Sequence, residues 1–98
     1  MQTKKDYITR SIGWEAMYTQ LAEEAAELSQ AALKVVRIMH GTNPTPISLM
    51  EAKDMVREEL TDVAHCATYL ELGIDYEQIK SKEERWANRI ANAQSRKY

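Results

Sequence analysis

A single cysteine, Cys66, leaves no partner for an internal disulfide. No apolar run approaches the length of a membrane span. The first ten residues are polar and lack the apolar stretch of a secretory signal. Together these absences predict a cytoplasmic chain with no membrane association. The net charge is only −2, so no basic excess exists to grip nucleic-acid phosphates. Three glycines and two prolines punctuate the chain sparsely. No segment shows sustained period-2 alternation rich in β-branched residues, which excludes strands. A chain of 98 residues is one domain. It buries only roughly 60–65% of its unfolded surface, so its core is thin and self-association is expected. The expected class is all-α: an antiparallel helical bundle of three to four helices per chain, completed by homo-oligomerisation.

Helical periodicity runs from about Ile12 to His40. The segment Gly41-Thr42-Asn43-Pro44-Thr45-Pro46 breaks it, with Asn43 in a Pro-flanked turn. Ser48 with Glu51 three residues on reads as a capping box, opening a helix to about Leu72. Gly73 fits the residue just past that helix. Asp75 with Gln78 repeats the capping pattern and opens a last helix to about Gln94.

Counting by sevens gives apolar seams. Leu21, Leu28 and Val35 form one column, and Met17, Glu24, Ala31 and Ile38 its neighbour. In the next segment Leu49, Val56, Val63 and Leu70 align, beside Ala52, Glu59 and Cys66. Cys66 thus reads as a small buried hydrophobe. Glu24 and Glu59 each occupy a seam slot that packing would give to an apolar residue. Asp62 lies at the apolar edge, between Met55 and Tyr69. Glu27 lies on the polar rim, between Gln20 and Lys34. Glu23 and Glu58 share columns with polar residues and read as solvated acids.

Glu24 with Glu27, and Glu59 with Asp62, each have i, i+3 spacing, which puts both carboxylates on one helix face. Four carboxylates facing one another across antiparallel helices repel strongly without a cation. Mg²⁺ answers that repulsion: it takes hard oxygen ligands and bridges carboxylates to substrate phosphates. Mn²⁺ is a possible substitute. On the last helix Lys82, Arg85, Arg89 and Arg96 fall within roughly 60° of one another at about 100° per residue. They form a basic stripe suited to phosphate oxygens, beside Ile79, Trp86 and Ile90. Trp86 is expected in the core. Trp14 and Tyr18 precede the first acidic pair and are candidates for stacking on a base, or for packing.

The motifs Leu21-Ala22-Glu23-Glu24-Ala25-Ala26-Glu27-Leu28 and Glu58-Glu59-Leu60-Thr61-Asp62-Val63 resemble the E-x-x-E and E-x-x-D pairs of the MazG-type, all-α nucleoside triphosphate pyrophosphohydrolases. The resemblance spans roughly Trp14 to Arg89. It implies a single MazG-like helical domain over residues 1–98 and metal ligation by Glu24, Glu27, Glu59 and Asp62. It also implies phosphate contacts from Lys82, Arg85 and Arg89, and Mg²⁺-dependent hydrolysis of a nucleoside triphosphate to monophosphate and pyrophosphate. A homodimer or homotetramer is implied too. The Gly41–Ile47 loop makes the gap between the motifs longer than the family's usual one. No residue is assigned as general base.

Two other readings compete. A non-catalytic helical interaction module accounts for the columns and the surface charge, but not for acids in seam slots. A di-iron carboxylate bundle would use Asp62 with His65, yet His65 shares its column with Glu51 and Glu58, away from the seam.

Overall fold

The structure is a computed structural model that describes residues 2–41 and 44–96. Four helices follow in order: α1 Lys4–Ile12, α2 Trp14–His40, α3 Leu49–Tyr69 and α4 Tyr76–Ser95. The described residues contain no strand, as the all-α class requires. Among them, no helix is long and apolar enough to cross a membrane.

Helix α1 lies in the stretch whose polarity concealed it. Thr3 Oγ1 accepts from the Asp6 N–H at 3.0 Å, and the Thr3 N–H donates back to the Asp6 carboxylate at 3.3 Å. This reciprocal cap satisfies two otherwise orphaned donors. Gly13, at φ 87°, separates α1 from α2 by a conformation costly to side-chain-bearing residues. Helix α2 ends at Gly41 in the left-handed region, φ 66°. Thr42 and Asn43, within the expected turn, lie outside the described residues. Ser48 and Glu51 form the expected capping box at the start of α3.

The end of α3 differs from expectation. The left-handed residue is Glu71, φ 58°, and not Gly73. The Leu72 N–H donates to the Ala67 carbonyl at 2.9 Å, and the Glu71 N–H to that of Thr68 at 3.1 Å. These two bonds close a Schellman turn two residues before the glycine. Asp75 then caps α4 by accepting from the Gln78 N–H at 3.1 Å, as its spacing predicted.

Helices α2 and α3 pack as an antiparallel hairpin. Met17 of early α2 meets Cys66 and Leu70 of late α3, with Ile8, Leu21 and Tyr69 packed around them. At the other end Ala32 and Val35 share a small groove with Lys53 and Val56. The seam columns are the buried ones: Met17, Ala31, Ala52, Cys66 and Leu70 are buried, and Leu21, Leu28, Val35, Val56 and Val63 are half-buried.

Helix α4 stands clear of this hairpin. Every described residue from Glu71 to Arg96 is exposed. Trp86, expected in the core, is 67% exposed, with Ile79 and Ile90 on the same open stripe. Periodicity correctly grouped them, but nothing among the described residues covers that face. The chain accordingly exposes 8376 Å², against about 5,700 Å² for a compact monomer of its mass. Its radius of gyration is 18.5 Å, where a compact chain of this length has about 13 Å.

Candidate metal centre

Midway along the hairpin, α2 contributes Glu24 and Glu27 and α3 contributes Glu59. One carboxylate oxygen from each lies within 4.8 Å of the others. The convergence follows from the heptad columns. Glu24 and Glu59 sit in slots otherwise filled by Met17 and Ala31, and by Ala52 and Cys66, so both are half-buried. Glu27, on the rim, is exposed.

Their partners are incomplete. Gln20, one turn before Glu24, donates from Nε2 to Glu24 Oε1 at 2.8 Å. That bond orients the carboxylate but leaves Glu24 Oε2 buried without a hydrogen-bond partner. Glu59 Oε2 is in the same condition. Buried anionic oxygens without donors are costly, and the cost falls when a cation or a proton arrives. Desolvation pushes the Glu59 carboxyl above its ordinary range; a hydrogen bond with Glu27 and the charges of Glu27, Asp62 and Glu24 push the same way. The Cys66 thiol beneath is also raised, first by burial and then by Glu24 and Asp62, which keeps it protonated and inert at neutral pH.

These residues fit a hard divalent cation. All three donors are carboxylate oxygens, two have an orphaned buried atom, and no lysine or arginine within the described residues forms an ion pair with them. Carboxylates of this kind suit Mg²⁺ or Mn²⁺ in preference to softer metals.

Asp62 is half-buried, and its charge bears on Glu59 and Cys66, but it is not one of the three converging carboxylates. Glu23 and Glu58 are exposed, as their columns implied. His65 is also exposed and shares a 2.8 Å hydrogen bond with the Tyr69 hydroxyl, so it takes no part in the acidic cluster.

The expected phosphate-binding residues are not brought to the cluster within one chain. Arg89 lines a separate groove on α4 with Trp86, Ile90 and Arg96. Lys82 and Arg85 are exposed on the same helix. A rod-like helix that leaves the hairpin carries its cations away with it. Trp14 and Tyr18, both about half exposed, precede Glu24 by about 15 and 9 Å along the α2 axis. Trp14 lines a cavity with Lys5, Thr9 and Tyr69, away from the carboxylates.

An open cavity of about 690 Å³ is lined by two of the three acids, Glu27 and Glu59, with Gln30, Lys34, Arg37, Leu33 and Met55. Its size is that of a small-molecule site. Gln20 and these α2 residues went unassigned in the sequence. The signals were there: Gln20 stands four residues before Glu24, and Lys34 shares the column of Glu27. Compared with protein-family models, curated proteins and solved structures, the chain matches none.

Proposed function

We propose that this chain is a Mg²⁺-dependent nucleoside triphosphate pyrophosphohydrolase that works as a homodimer or homotetramer in the cytoplasm. It converts a ribo- or deoxyribonucleoside triphosphate and water to the monophosphate and pyrophosphate, a nucleotide-pool housekeeping reaction. The observation that carries this reading is the meeting of Glu24, Glu27 and Glu59 in an otherwise apolar seam, on the two motifs that resemble the MazG type.

A bound Mg²⁺ supplies a Lewis acid for phosphoryl oxygens and a water of lowered pKa. Glu24 and Glu59 offer it their buried oxygens, and Gln20 holds Glu24 in the required orientation. Glu27 closes the cluster from the rim. Asp62 adds negative charge beside Glu59, which makes an uncompensated Glu59 carboxylate costlier still. In the net reaction a water oxygen bonds to phosphorus and one P–O bond of the phosphoanhydride breaks. Pyrophosphate leaves, and the water's proton passes to solvent.

Self-association rests on the surplus surface. About 2,600 Å² beyond a compact monomer's area is of the order buried in obligate interfaces. Trp86, Ile79 and Ile90 lie within it. In an assembly Lys82, Arg85 and Arg89 act on phosphate in a neighbouring subunit's site. A non-catalytic interaction module is the alternative, favoured by the same exposed stripe.

The test is a pyrophosphate-release screen over canonical and modified nucleoside triphosphates, with Mg²⁺ or Mn²⁺. Release from at least one nucleotide, lost in Glu59→Gln, is the expected result. A folded chain that releases none and melts at the same temperature with and without Mg²⁺ is the interaction module.

A further inference from the structure

We propose that Lys34 and Arg37 of α2 form the polyphosphate subsite of the same chain, beside the carboxylate cluster. This rests on the hydrolase reading above and names the groups that grip its substrate. The two cations line one cavity with Glu27 and Glu59. No α4 residue lines it. Lys34 is half-buried, yet among the described residues neither it nor Arg37 has an ion-pair partner. Two cations without an ion-pair partner on one cavity wall leave their N–H donors open to an anionic ligand.

Helix geometry supports the placement. Lys34 lies seven residues after Glu27, on nearly the same face and about 10 Å along the axis. Long side chains on a helix lean toward its N-terminus, so Lys34 and Arg37 lean back toward Glu27. The groove therefore presents metal-binding oxygens at one end and two cations at the other. A polyphosphate bridges such a dipolar site: oxygens at one end meet the cation held by the acids, and the remaining oxygens meet Lys34 and Arg37. Arginine adds a planar fork that can bind phosphate through two parallel hydrogen bonds. An acidic peptide would be repelled by Glu27 and Glu59, whereas a metal-bound polyphosphate is attracted by both ends.

The test uses the full chain and inorganic tripolyphosphate as probe, titrated by calorimetry with and without Mg²⁺. Wild type binds the probe, and Mg²⁺ strengthens the binding. Lys34→Ala and Arg37→Ala each weaken it about tenfold or more, the size of one charge-assisted hydrogen bond. Lys34→Arg retains most of the affinity. Arg57→Ala, which removes an exposed cation paired with Asp54, binds as wild type. In turnover assays the Lys34 and Arg37 variants raise KM more than they lower kcat. Circular dichroism checks that each variant is folded. Wild-type affinity and KM in a folded Lys34→Ala/Arg37→Ala double variant overturn the subsite and leave the hydrolase standing. Probe binding that depends on Lys34 and Arg37, in a chain that hydrolyses no nucleotide, overturns the hydrolase and retains the anion site.

Discussion

Glu59 of α3 and Glu27 of α2 meet across the hairpin groove, and among the described residues neither has a cation to pair with. Two acids so placed repel each other, and only a proton or a metal ion relieves the repulsion locally. The pair therefore responds to two agents, protons and divalent cations.

The first prediction concerns pH. The folded-state pKa of Glu59 lies above its ordinary 4.5, chiefly through desolvation. The folded chain thus holds this proton more tightly than the unfolded chain does. As pH rises from 4.5 through the folded value, the unfolded state ionises first and stability is lost. In EDTA, the melting temperature of wild type relative to Glu59→Gln falls across that window. Saturating Mg²⁺ reverses the trend, because the ionised site is the one that binds the ion. Parallel melting curves for the two proteins at every pH contradict the assignment.

Gln20 supplies a second prediction. It fixes one oxygen of Glu24 by a 2.8 Å bond. Removing such an orienting partner weakens metal binding by about 10–100-fold in comparable sites. Gln20→Ala is expected to reduce Mg²⁺ affinity by about tenfold while leaving helicity unchanged. An unchanged affinity shows that Glu24 needs no such support.

Glu71 provides a test unconnected with activity. Its left-handed conformation, φ 58°, costs a side-chain-bearing residue roughly 1–2 kcal/mol. Glycine avoids that strain but loses more chain entropy on folding. Glu71→Gly is expected to stabilise the chain by up to ~1 kcal/mol in urea unfolding. Destabilisation means that the α3 terminus is not a Schellman turn.

Trp86 tests the open stripe of α4. With that stripe as the proposed subunit interface, Trp86→Glu is expected to shift sedimentation toward the monomer and to leave helix α4 partly melted. A wild-type chain that sediments as a monomer at high concentration removes the need for a partner.

Much of this arrangement was legible in the sequence. Heptad columns found the seam because burial in an antiparallel hairpin follows a short period, and they flagged Glu24 and Glu59 as acids in buried slots. Ser48–Glu51 and Asp75–Gln78 announced their helices because caps act through contacts three residues apart. The same rule applied to Thr3–Asp6 finds α1, but its polar surroundings offered no apolar face to prompt the reading. Gly73 drew the end of α3 away from Glu71 because glycine is the commoner left-handed residue, whereas the register of hydrogen bonds decides the position. Trp86 and the α4 cations show a different limit. A period groups residues on a face but does not say which surface, in which chain, that face meets. Lys34 was readable as a column neighbour of Glu27, but Arg37, and the cavity that joins both cations to Glu59 of another helix, needed the third dimension.

The most direct measurement is a calorimetric Mg²⁺ titration of wild type against Glu59→Gln and Asp62→Asn. Wild type should bind the ion and gain melting temperature. Glu59→Gln should bind it at least about tenfold more weakly, the loss of one ionic contact, and be no less stable than wild type when metal-free. Asp62→Asn, at the margin of the cluster, should lose less affinity. Equal Mg²⁺ affinity in wild type and Glu59→Gln would contradict the account.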